Sequence, residues 1–142
     1  MKRQQQKIQK TNKNKNGAVQ TVPFVIMNGD NMERFRVKVT VDRPLGSKHP
    51  EYDMIYPVNY GYAQGVTGGD GEEQDVYILG INEPVTEFVG IVTAVIHRFN
   101  DNEDKWVAVP EGTELTAEEI KAALHFQEQY FESEIIMLQD KK

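Results

Sequence analysis

The sequence predicts one α+β domain, a small barrel of short strands followed by a C-terminal helix. Three observations carry this. Residues 35–41 alternate strictly, with Phe35, Val37, Val39 and Val41 on one side and Arg36, Lys38 and Thr40 on the other, the period of a half-buried strand. Residues 88–99 (FVGIVTAVIHRF) and 105–109 are apolar runs joined by a short polar turn, which reads as a long central strand and its return strand in a hairpin. Thr116 and Glu119 make a capping box, and Leu115 with Ile120 a hydrophobic staple, so a helix starts at 116.

The remaining segments follow in chain order. Residues 1–16 are rich in Lys, Gln and Asn and almost devoid of apolar side chains. They bury too little to offset the entropy of ordering, so a disordered basic extension is expected. VPFVIM (22–27) is apolar enough for a short strand, which Pro23 confines to an edge. Met32 opens MERFRVKV, a natural chain start. Residues 1–31 therefore read as an extension or an upstream misassigned start, and 32–142 as the domain. Pro44 ends the first strand, and 44–55 are irregular, carrying Lys48 and His49 toward the next block. Val76–Leu79 forms a short apolar strand, and Pro110 stops the return strand of the hairpin. On the final helix Ile120, Leu124, Phe131, Ile135 and Leu138 fall on one face. No internal repeat and no linker interrupts this order, and such strand spacing suits a small barrel.

Composition bounds the function. A chain of 142 residues, 39% hydrophobic and 27% charged, has room for one core. It lacks an apolar run of 18 residues or a signal-peptide core, so a cytoplasmic protein without membrane contact is expected. There is no cysteine, and the three histidines (His49, His97, His125) are scattered, so any metal would be held by oxygen. Six of the 16 basic residues lie in 1–16, leaving 10 against 22 acidic residues in the rest, a net of −12. That body repels nucleic acid and tolerates divalent cations.

The most telling stretch is YPVNYGYAQGVTGGDGEEQD (56–75). Its five glycines are too many for a helix or a regular strand, so the segment is expected to wrap around something. Asp70, Glu72 and Asp75 crowd carboxylates onto one junction, which repels unless cations sit among them. Oxygen-rich sites of this kind suit Mg2+, Mn2+ or Ca2+. Read alone, DGEEQD is also compatible with a solvated acidic turn.

YPVNYGY (56–62) followed by DGEEQD (70–75) resembles the soluble family I inorganic pyrophosphatases, in which YPxNYGY is followed by DGDPxD. The likeness continues through DNEDKWVAVP to the final helix, covering residues 37–136. It implies an OB-like five-stranded barrel with the helix packed against it, and Mg2+-dependent hydrolysis of pyrophosphate to two phosphates, with Mn2+ as an alternative metal. A homo-oligomer is also expected. By the resemblance Asp70 and Asp75 are metal ligands, joined by Asp101 and Asp104 from the hairpin turn. Counting back from KWVAVP without gaps puts Glu103 in the place of Asp104. Glu72 stands where the family aspartate handles the attacking water, Tyr60 matches its active-site tyrosine, and Lys105 a phosphate-contacting lysine. Tyr56 and Tyr62 read as packing residues.

Elsewhere the chain departs from the family. Tyr130 matches a phosphate-contacting tyrosine, but Phe131 replaces the lysine after it. Phe131 thus either borders the site or belongs to the apolar face of the helix. VTVDRPLGS matches a first IEIPxGS strand, making Asp42 an acidic site residue. Matched to a later VDR segment, it makes Arg43 a phosphate-binding arginine. The first match is favoured by Pro44, Gly46 and Ser47, with Arg43 or Lys48 compensating for the lost arginine. Two other functions fit the same residues: hydrolysis of another small phosphoanhydride, and a non-catalytic barrel that binds a divalent cation or a partner protein.

Overall fold

A computed structural model describes residues 32–69, 71–99 and 103–140. The basic extension, the strand expected at 22–27, Asp70 and Asp101 lie outside them. The first strand, β1 (Phe35–Arg43), follows the expected alternation, with Val37, Val39 and Val41 buried. Strand β2 (Asn59–Thr67) corrects the reading of the glycine-rich stretch. Gly61 is there because a Cβ at this position would lie 1.9 Å from the Thr40 carbonyl oxygen of β1. The glycine marks close strand approach inside a ladder, and no loop is needed to explain it. Strands β3 (Glu73–Ile78), β4 (Glu87–Arg98) and β5 (Asp104–Val109) follow, then α1 (Ala117–Glu128) and β6 (Ser133–Met137).

Five strands close on themselves in the order β1-β2-β3-β5-β4, with β4 returning to β1. All pairs are antiparallel except β3–β5. The fold is therefore the expected α+β type, an OB-like five-stranded barrel with a helix against it. Closure removes the open edges of a flat sheet. The 12-residue β4 makes closure possible. Its first half pairs with β1 (Phe35 opposite Val92), and its second half, beyond the reach of β1, pairs with β6 (Ala94 opposite Met137).

Two apolar clusters lie on the two faces of the barrel wall. Inside, Val37, Val39, Val41, Val76, Ile78, Val92, Val95 and Ala108 surround Trp106, whose ring meets Phe35 edge-on at 4.9 Å. Outside, Tyr77, Ala94, Ile96, Val107 and Val109 bury Ile120 and Leu124 of α1. Each such aliphatic side chain contributes about 1.5–3 kcal/mol on burial. The helix begins as expected, with Thr116 Oγ1 accepting from Glu119 N and Glu119 Oε1 accepting from Thr116 N.

Its end differs from the expectation. α1 stops at Glu128, and Phe131, Ile135 and Leu138 do not continue its apolar face. Ile135 and Ile136 instead alternate in β6 between the outer and inner clusters, and Leu138 enters the barrel core. The free edge of β4 satisfies the backbone of SEIIM, whose paired β-branched residues suit a strand.

Candidate active site

The outer face of the barrel carries one polar cluster where it emerges from under α1. Alternation along the strands builds it. β5 presents Lys105 on the same face as Val107, β3 presents Asp75 with Tyr77, and β2 presents Tyr60. Glu103 precedes β5 on that face, opposite Arg98 at the end of β4, where Arg98 N donates to the Glu103 carbonyl at 3.4 Å.

Lys105 is the centre of the cluster. Its ammonium donates to Asp75 Oδ2 at 2.5 Å, to Glu103 Oε1 at 2.9 Å and to Tyr60 Oη at 3.0 Å. Only 5% of this side chain is exposed, so a charge that would be costly to bury alone is held by two carboxylates. Burial first, and then the Asp75 carboxylate, push the Tyr60 phenol far above its ordinary range. Tyr60 thus stays protonated. A shallow surface depression lined by Gly68, Gly69, Glu73, Gln74, Asp75, Glu103 and Asp104 adjoins the cluster.

A second network meets the first at Glu103. The buried Arg98 forks onto Glu128, Nε to Oε1 at 3.1 Å and Nη2 to Oε2 at 2.7 Å, and its guanidinium lies 3.6 Å from the centre of the Phe131 ring. Tyr77 Oη donates to Glu128 Oε2 at 2.6 Å and accepts from Gln127 Nε2 at 2.7 Å. Burial and then Glu128 hold the Tyr77 phenol well above its usual value. Phe131 is therefore a partly buried lid on Arg98, on the turn after α1.

The sequence candidates divide between this cluster and the periphery. Tyr60, Asp75 and Lys105 converge directly. Glu103 joins them, while Asp104, next to Glu103 and on the other side of the strand, binds His97 Nδ1 at 2.7 Å. Glu72 is exposed on the turn leading into β3. Asp42 and Arg43 end β1 beside Tyr56, whose phenol is raised by burial while Arg43 opposes the shift. Tyr56 is buried and stacks on Tyr60, ring centres 5.7 Å apart. Tyr62 is half-buried, two residues beyond Tyr60 and opposite Asp75 in register. Lys48 stands on an exposed loop, 3.8 Å from Asp53, and Tyr130 is 72% exposed on the turn after α1. Neither converges on Lys105.

Sequence reasoning missed Arg98, Glu128, Tyr77 and Asn59. Two of them carried signals. Glu128 ends a helix, where the helix dipole disfavours a carboxylate, and Arg98 continues the alternation of Ala94 and Ile96 on the outer, helix-covered face. Asn59 is fully buried; its Oδ1 accepts from Leu45 N and Val85 N and its Nδ2 donates to the Glu83 carbonyl. It thereby ties two loops to the root of β2, next to Tyr60.

Comparison with solved structures matches this arrangement of strands and helix. An inorganic pyrophosphatase from Ehrlichia chaffeensis superimposes with a TM-score of 0.56 at 20% identity, covering 75% of this chain and 86% of that one. One from Helicobacter pylori gives 0.55 at 14% identity over 75% and 85%. One from Coxiella burnetii gives 0.51 at 18% identity over 79% and 89%. The fold is that of inorganic pyrophosphatases. No protein-family model matches the chain, and no curated protein matches it, so the likeness is one of fold.

The donors gathered at this face are carboxylate oxygens, the chemistry that hard divalent cations take. Asp75 and Glu103 already turn carboxylate oxygens onto a single cation, the Lys105 ammonium, and hard oxygen donors suit Mg2+ or Mn2+. The number is smaller than expected. Among the described residues no group of three His, Asp or Glu side chains stands ready to hold a metal.

Proposed function

We propose that the chain hydrolyses inorganic pyrophosphate to two phosphates at the face where Lys105 gathers Asp75, Glu103 and Tyr60. The observation that carries this reading is that gathered cluster, built on a pyrophosphatase fold. Mg2+, or Mn2+, would be held by Asp75 and Glu103, with Asp70 and Asp101 as sequence candidates for further ligands, and would supply charge neutralisation and a more acidic water.

The chain's own residues divide the remaining work. Lys105 is a compact ammonium already poised among acceptors, so a phosphoryl oxygen can take one of its three hydrogen bonds. Tyr60, kept protonated, braces Asp75 and Lys105 without adding negative charge. Glu72, exposed on the turn before β3, is the carboxylate we assign to take a proton from water as its oxygen bonds to phosphorus and the bridging P–O bond breaks. Its stem is longer than that of the aspartate in DGDPxD, and an error of about 1 Å in placement is costly.

A second reading has one observation in its favour. Arg98 is closed off by Glu128 and Phe131, and Lys48 faces Asp53, which thins the cationic grip for so charged a substrate. A phosphoanhydride carrying an organic group needs less of it. Phosphate release from pyrophosphate, with and without Mg2+, beside a panel of nucleotides tests both. Mg2+-dependent turnover of pyrophosphate supports the first, and preference for a nucleotide the second. Cation binding without turnover of any of them would overturn both in favour of a non-catalytic barrel.

A further inference from the structure

Glu103 belongs to two networks at once. Its Oε1 lies 2.9 Å from Lys105 Nζ and 3.5 Å from Arg98 Nη1, so one carboxylate oxygen links the site cluster to the ion pair that ties β4 to the end of α1. The two anchors differ in rigidity. Lys105 is a flexible stem whose other partners, Asp75 and Tyr60, come from β3 and β2. Arg98 is fixed along its whole planar head, with Nε and Nη2 on Glu128 and Phe131 against its face, and its side chain is only 4% exposed. Glu128 is itself fixed by Tyr77, which is wholly buried.

We propose that Arg98 is a positioning residue for the site: through Glu103 it sets the place of the Lys105 ammonium. Arg98 touches no reacting atom in this arrangement. Its effect runs from Glu128 and Tyr77, through the guanidinium, to Glu103 and then to Lys105. A guanidinium suits this task because its fork grips Glu128 with two nitrogens and leaves a third for Glu103. A lysine at 98 would carry the same charge without that geometry.

The test separates positioning from mere stability. Replacing Arg98 alone strands Glu128, so the informative variant is Arg98→Met with Glu128→Gln, which removes both charges and leaves Tyr77 an acceptor. Arg98→Lys, which keeps a cation against Glu128, gives the same reading should the double variant fail to fold. The readout is the Lys105 Cε–Hε signal by NMR, assigned by its loss in Lys105→Met. In the parent its two Hε protons should be inequivalent, because the ammonium is held. In either folded variant they should collapse toward the values of a free lysine. A purely structural role for Arg98 would lower the melting midpoint and leave these signals unmoved, and that result would overturn the proposal. So would equivalent Hε protons in the parent.

A second readout rests on the hydrolysis proposed above: kcat/KM for pyrophosphate should fall by about ten- to a hundredfold, as expected for displacement of a positioned group by up to about 1 Å. Unchanged kcat/KM in a folded variant of an active parent would overturn the proposal as well. Should the parent prove inactive, the hydrolytic reading fails by itself, and the Lys105 signals still decide whether Arg98 positions the ammonium.

Discussion

Asp75 holds two partners that matter to each other, the Lys105 ammonium and the Tyr60 phenol. Its side chain is 31% exposed, so an amide there would not be trapped in the core. Asp75→Asn should therefore cost at most about 2 kcal/mol of stability, while Mg2+-dependent phosphate release falls on the order of a hundredfold. Circular dichroism and a phosphate assay check both; a parent-like rate would remove Asp75 from the site. Tyr60 makes a different prediction. A phenol raised in the folded state stabilises fully below its unfolded value, near pH 10, and that contribution is lost as pH rises toward the folded value. Unfolding above pH 10 thus releases a proton, and stability should fall by about 1.4 kcal/mol per pH unit from this group. Tyr60→Phe should flatten that part of the slope between pH 10 and 11 in urea titrations. An unchanged slope would mean that Tyr60 ionises normally.

At the scale of elements, the chain was legible where one local rule decides. β1, the β4–β5 hairpin and the start of α1 follow from alternation, two apolar runs and a capping box. Thr116→Ala should accordingly cost about 1 kcal/mol and lower the melting midpoint by about 4 °C, with no change in phosphate release; no shift in the melt would mean that the cap is not formed in solution. Legibility failed where two rules compete. Leu124, Phe131, Ile135 and Leu138 keep a helical period, yet the open edge of β4 takes residues 133–137 as a strand, since tertiary pairing outweighs weak propensity. Gly61 looked like a loop residue because close backbone approach to Thr40 leaves no mark in a single sequence. In the site, Tyr60, Asp75 and Lys105 were visible because they sit in a recognisable pattern. Arg98 and Glu128 were not, since their fork joins residues 30 positions apart, and only folding makes them neighbours.

At the scale of the whole molecule, the barrel is tied shut at its ends from residue 32 onward. Gln139 N donates to the Met32 carbonyl at 2.9 Å, and Arg34 N donates to the Gln139 carbonyl at 2.9 Å. Arg34 also reaches Glu114 with both terminal nitrogens, at 2.8 and 3.1 Å, and Asp140 at 2.8 Å. These contacts join the lead into β1, the loop before α1 and the segment after β6, so three parts of the chain close one end together. Met32 itself packs against the inner cluster. A chain starting at Met32 keeps every one of these ties, together with both apolar clusters. It should fold to a barrel whose melting midpoint lies within about 3 °C of the full chain, a difference below about 1 kcal/mol for a domain of this size, and should keep its phosphate release. Removing residues through Arg34 instead should lower the midpoint clearly, because Glu114, Asp140 and the Gln139 backbone lose their common partner. Parallel thermal melts of the two truncations and the full chain check this. A large loss on truncation at Met32 alone would place part of residues 1–31 in the folded domain.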